Sequence, residues 1–130
     1  MRLLKEDEEA DVEVNYEDQQ NINAFSRLNA RLNDMEDTYD TKKTELEYLE
    51  DLESELELAD EEDPVMYRVG DAYISLSLEM AQERLTKEQE ALKAEVEDLK
   101  TEMDDISEKM DKLKVVLYAK FGKSINLEKD

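Results

Sequence analysis

A mainly α fold is predicted: two long helices paired antiparallel as a coiled coil and joined by a single β-hairpin. Three observations carry this. Leu78, Leu85, Leu92, Leu99, Ile106 and Leu113 recur at strict seven-residue spacing, and Val96, Met103, Met110 and Leu117 supply a second row. An earlier run of similar length offers matching rows, Phe25, Leu32, Tyr39 and Leu46 beside Leu28, Met35, Leu49 and Leu56. Such seams are used by burial against another helix. Between the two runs lies one short segment with β-type alternation.

The elements follow in order. Residues 1–14 are acidic, lack a helical stripe and read as a disordered tail. Asn15 suits a helix N-cap, with Glu17 and Asp18 at the positive end of the dipole, opening helix 1 over 15–59. The Asp60-Glu61-Glu62-Asp63-Pro64 cluster stops it, because proline disfavours helix at the residue before it. A linker and hairpin fill 60–77. Val65, Tyr67 and Val69 alternate with more polar positions, Gly70-Asp71 signals a two-residue turn, and Ala72, Ile74 and Leu76 alternate after it. Ser77 is placed to cap helix 2, which spans 78–122 and closes on Gly122, with Lys112, Lys114 and Lys120 near its carbonyl end. Residues 123–130 form a short tail carrying Ile125 and Leu127. Each helix is roughly 65 Å long at ~1.5 Å per residue. The seam rows permit two registers, in which facing residue numbers sum to 138 or to 145. Lys42 holds a seam position in both, its stem packing and its amine reaching outward.

Composition excludes most chemistry. The 130 residues include no Cys and no His, which removes thiol nucleophiles, disulfides, imidazole catalysis and Cys/His zinc sites. Charged residues make up 42%, with one Pro and two Gly, the profile of long helices rather than of a turn-rich core. No window approaches a membrane span, and the acidic start resembles neither a secretory signal nor a transit peptide. A reducing compartment is the expectation. The net charge of −21 repels nucleic acid and permits a basic protein partner. It is uneven: residues 1–64 hold 6 Lys/Arg against 23 Asp/Glu (−17), and residues 65–130 hold 11 against 15 (−4). Gly122-Lys123-Ser124 imitates the end of a P-loop, but Leu117 stands where its first glycine belongs. Asp60 to Asp63 lacks the alternating ligands and central glycine of an EF-hand. No metal, cofactor or catalytic residue is expected.

Two features call for partners. A lone hairpin is marginal in water, and this one offers open edges and an apolar face, so assembly through the sheet is favoured over packing on its own helices. Antiparallel folding also gathers Ile22, Phe25 and Leu28 with Leu117, Tyr118, Phe121, Ile125 and Leu127. Phe25, Leu28 and Leu117 fit the seam. Ile22, Tyr118, Ile125 and Leu127 exceed its needs and either cap the open coiled coil or form an adhesive tip.

Coiled-coil arms joined by such a hairpin resemble the plan of prefoldin subunits. Asn15-Tyr16-Glu17-Asp18-Gln19-Gln20-Asn21-Ile22-Asn23-Ala24-Phe25 resembles the opening motif of a eukaryotic β-type member of that family. Asp63-Pro64-Val65-Met66-Tyr67-Arg68-Val69-Gly70-Asp71 is similar to its hairpin. Leu117-Tyr118-Ala119-Lys120-Phe121-Gly122 with Ile125-Asn126-Leu127-Glu128 is similar to its ending. The resemblance spans residues 12–130 as one prefoldin-like domain. It implies a β-type subunit whose hairpin (Val65, Tyr67, Val69, Gly70, Asp71, Tyr73, Ile74, Leu76) enters a β-barrel platform shared by two α-type and four β-type subunits. It further implies an ATP-independent cytoplasmic co-chaperone, with the nucleus as a second compartment. Its tip residues (Ile22, Phe25, Leu28, Leu117, Tyr118, Phe121, Ile125, Leu127) would hold unfolded actin and tubulin for the group II chaperonin. Read without the resemblance, the seams also suit a structural coiled-coil spacer, and the charge suits an acidic chaperone of basic proteins.

Overall fold

The structure, a computed structural model of the chain, describes residues 2–3 and 13–127. In order these form β1 (Arg2–Leu3), α1 (Tyr16–Glu57), β2 (Val65–Val69), β3 (Ala72–Leu76), α2 (Leu78–Phe121), a 3-10 turn at Gly122–Ser124 and β4 (Ile125–Asn126). Two long helices with a β-hairpin between them are the fold the heptads predict.

Local chemistry sets each boundary. At the start of α1, Asp18 N–H donates to Asn15 Oδ1 at 2.8 Å, and Asn15 N–H donates back to Asp18 Oδ2 at 3.1 Å. This reciprocal cap satisfies two donors that the first turn leaves open. The helix tightens at its end through Leu58 N–H to Glu55 O and Ala59 N–H to Leu56 O, both at 3.2 Å. An Asx turn follows, in which Asp60 Oδ1 accepts from Glu62 N–H at 3.0 Å. Ser77 Oγ caps α2 by accepting from Met80 N–H at 3.2 Å. Gly122, at φ +55°, takes the left-handed position that ends a helix without a Cβ penalty.

β2 and β3 pair antiparallel, Val65 with Leu76, Tyr67 with Ile74 and Val69 with Ala72. The loop is therefore Gly70-Asp71 alone. Only Gly70 has positive φ (+62°), the pattern of a II′ turn, whose twist suits two flanking strands.

The chain divides into two compact units, residues 38–99 and residues 1–37 with 100–130. In the hairpin unit, Leu56, Tyr67, Leu78, Ala81 and Leu85 are buried together, with Leu49, Leu52, Ala59, Val65, Val69 and Leu76 packed around them. The hairpin thus lays one face on its own helices, the arrangement disfavoured from sequence. The reason is Tyr67, whose large ring gains more by burial among leucines than an exposed strand could supply. In the other unit the core holds Phe25, Leu32, Met35, Ile106, Met110, Leu117, Phe121, Ile125 and Leu127.

Polar contacts across the arms resolve the register. Gln89 Nε2 donates to Leu49 O at 3.4 Å in the hairpin unit, and Lys120 pairs with Asp18 in the other. Both pairs sum to 138. Lys42 Nζ reaches Glu95 Oε2 at 2.9 Å, one position off that register, and Arg31 meets Glu102 at 3.7 Å along a longer diagonal.

Residues 2 and 3, expected in a disordered tail, form β1. β1 pairs with β4, Arg2 opposite Asn126 and Leu3 opposite Ile125. Ile125 and Leu127, near the C-terminus, are buried. After the left-handed turn at Gly122 the chain comes back toward α2, bringing the Leu127 N–H to the Tyr118 hydroxyl. The disorder expected for residues 4–12, and the last tail residues 128–130, lie outside the described residues.

Candidate functional site

Two surfaces hold the residues singled out from sequence. On the hairpin, directly paired residues share a face. Val65, Tyr67, Val69 and Leu76 point to the helices and are buried or half-buried. Ile74, on that same face, is 41% exposed, because it lies past the edge of the leucine cluster. The opposite face carries Met66, Arg68, Tyr73 and Ser75, with Met66 63% and Tyr73 59% exposed. Gly70 and Asp71 are exposed at the turn. Among the described residues, β2 and β3 form a sheet of two strands with both outer edges unpaired.

One side chain anchors this hairpin. The Tyr67 hydroxyl donates to Glu88 Oε2 at 3.0 Å. The Arg84 guanidinium lies 5.9 Å from the Tyr67 ring centroid and its Nε sits 3.5 Å from Glu88 Oε1. Burial first, and then the neighbouring Glu88 carboxylate, push the Tyr67 phenol up to about 12. On the exposed side Arg68 covers the Tyr48 ring at 5.8 Å. Beside them opens a cleft of about 430 Å³ lined by Lys42, Tyr48, Arg68, Glu88 and Glu95 among others. Two of its carboxylates face cations, Glu95 to Lys42 and Glu88 to Arg84, as paired charges rather than an acid–base couple. The Glu95 hydrogen bond raises the Lys42 ammonium above its ordinary value.

The second surface surrounds the chain ends. Of the eight residues expected at a tip, Phe25, Leu117, Phe121, Ile125 and Leu127 are core. Ile22, Leu28 and Tyr118 are half-buried. The structure brings all eight into one unit, five of them in its core and three half-buried. Asp18 ties this unit together. It closes the α1 cap and takes the Lys120 ammonium, whose hydrogen bond holds its carboxyl below the ordinary carboxylate value. Leu127 N–H donates to the Tyr118 hydroxyl at 3.1 Å.

The apolar residues that remain open here are ones the sequence reading passed over. Val115 is 71% and Val116 53% exposed. Their signal was available: both fall between the seam positions Leu113 and Leu117, where a coiled coil has no use for apolar side chains. Met80, exposed in the first turn of α2, is off-seam in the same way. Among the described residues there is no cluster of three or more His, Cys, Asp or Glu fit to hold a metal, and no helix long and apolar enough to cross a membrane.

Comparisons with known proteins agree with this build. The sequence pattern of the prefoldin subunit family matches residues 19–124. Prefoldin subunit 4 of Saccharomyces cerevisiae is 40% identical over 129 residues, covering 99% of this chain and 100% of that protein. Prefoldin subunit 4 of Homo sapiens is 39% identical over 121 residues, covering 92% and 90%. In fold, the crystal structure of the prefoldin beta subunit from Thermococcus strain KS-1 superposes with a TM-score of 0.75 at 15% identity, covering 85% of this chain and 96% of that one. The chain belongs to the prefoldin subunit family, and so is a chaperone subunit that assembles with other prefoldin subunits.

Proposed function

We propose that this chain is a β-type subunit of a prefoldin heterohexamer and acts as an ATP-independent holdase in the cytoplasm. Its partners are two α-type and further β-type subunits. Its clients are unfolded actin and tubulin, which it passes to the group II chaperonin. The observation that carries the reading is the hairpin: a chain whose seams are filled by its own arms keeps Met66, Tyr73 and Ile74 exposed beside two unpaired strand edges. Those edges suit pairing with other hairpins. Client contact is assigned to the unit of the chain ends, through half-buried Ile22, Leu28 and Tyr118 together with exposed Val115 and Val116. Weak apolar contacts on several subunits then add through avidity.

The test is suppression of unfolded-actin aggregation by the assembled complex, without nucleotide. Ile22→Ser combined with Val116→Ser is expected to reduce protection several-fold while the complex keeps its mass. The apolar contact should also survive added salt, whereas binding driven by the acidic charge would collapse under screening. Undiminished protection by the double variant would remove the chain ends from the client surface.

A further inference from the structure

We propose that an extended segment of an unfolded client binds this chain as a strand, replacing β1 on the edge of β4. The proposal rests on the chaperone reading above and adds how the client is held.

β4 is a fixed edge. Ile125 and Leu127 are 4% and 1% exposed, one at its start and one just beyond its end. The Tyr118 hydroxyl on the last turns of α2 holds the Leu127 N–H at 3.1 Å, so the strand is fastened from both side chain and backbone. Phe121 and Leu117, near the end of α2 in the same unit, are buried as well. β1 is the opposite case. It contributes two residues, Arg2 and Leu3, to a two-stranded sheet. A ladder that short is near the lower limit of what holds in water.

What β1 does on this edge defines what the edge accepts. The pairing is antiparallel and runs through backbone N–H and C=O groups, which every unfolded chain carries whatever its sequence. Recognition by strand addition is therefore indifferent to client identity yet selective for extended chain. A folded protein, whose backbone groups are already paired, has nothing to offer the edge. β1 acts as the resident competitor, covering β4 when no client is present.

The chain has no cysteine, which permits a direct lock. Directly opposed antiparallel residues stand about 4.5–5.5 Å apart at Cα, inside disulfide reach of about 4.4–6.8 Å. Arg2→Cys with Asn126→Cys, placed in the assembled complex, fastens β1 to β4 on oxidation and frees it on reduction. A photo-cross-linking residue at exposed Ala119 reports capture of unfolded actin at this subunit. Cross-linking is expected in the reduced complex, to fall to background once the chain is oxidised, and to return with reductant. Equal cross-linking in both states overturns the proposal. Leu3→Pro provides a second arm, since proline fits poorly in a paired strand and weakens β1 alone. It is expected to raise cross-linking several-fold. Unchanged or lower yield overturns it, as does a doubled mass, which would mean that a second copy's strand takes the edge. Protection of actin by the reduced complex, insensitive to redox state, rejects strand replacement and leaves the chaperone reading standing. No protection in the reduced complex rejects both.

Discussion

Leu117 and Val116 are neighbours in sequence and opposites in environment, the first fully buried and the second half open. The seven-residue rows alone assign the first to the core, and the buried or half-buried state of Leu78 through Leu113 follows the same rows. The rows are silent on Ile125 and Leu127, which lie beyond the helix. Their burial depends on a chain reversal at Gly122 that no periodicity encodes. Asp18 was legible only as a first-turn acid. Its bond to Lys120 depends on the register, which the rows left open between two values. Truncating Leu117 to alanine is expected to cost about 2–5 kcal/mol, because the packed neighbours cannot fully collapse into the space. Val116→Ala should stay within about 0.5 kcal/mol. Urea unfolding of the two variants, followed by far-UV circular dichroism, compares them.

The hairpin shows how an element is read from its turn and its alternation. Gly70-Asp71 gave the loop, and the period of two gave the strands, since a two-residue II′ connection fixes the register of everything it joins. The apolar face of Val65, Tyr67, Val69, Ile74 and Leu76 was legible from the alternation, but not that it packs on the chain's own helices; that depends on the leucines at the hairpin end of the two arms. Tyr67 is therefore the residue that fixes the hairpin's pose, and pH tests it. Its phenol is raised from 10.0 to about 12, so between those values the folded chain keeps a proton that the unfolded chain has lost. Stability from this group is complete below pH 10 and is lost as pH rises toward 12. Tyr67→Phe should flatten that alkaline limb. It should also cost about 1 kcal/mol at neutral pH through the missing hydrogen bond to Glu88. Urea midpoints across the alkaline range, for wild type and variant, measure both effects.

For the molecule as a whole, absence of chemistry and presence of surface tell the same story. The chain has neither Cys nor His, and carboxylates such as Glu95 and Glu88 face lysines and arginines. The charges of −17 on residues 1–64 and −4 on residues 65–130 have the same sign and repel on net, so Arg31–Glu102 and Lys42–Glu95 are local attractions set against that repulsion. Such exposed pairs contribute little each, so the seams hold the arms, and in the proposed function it is the hairpin that holds partners. The central claim is that assembly runs through the sheet. The measurement that tests it most directly is the native mass of the complex formed when Ile74→Pro is co-expressed with the other prefoldin subunits, with helicity checked on the purified chain. Proline removes a ladder N–H from β3 opposite Tyr67 and leaves both seams untouched. The expected result is a strongly helical chain that is missing from the hexamer. A hexamer of full mass containing Ile74→Pro would contradict the account, because the platform would then be built without this hairpin.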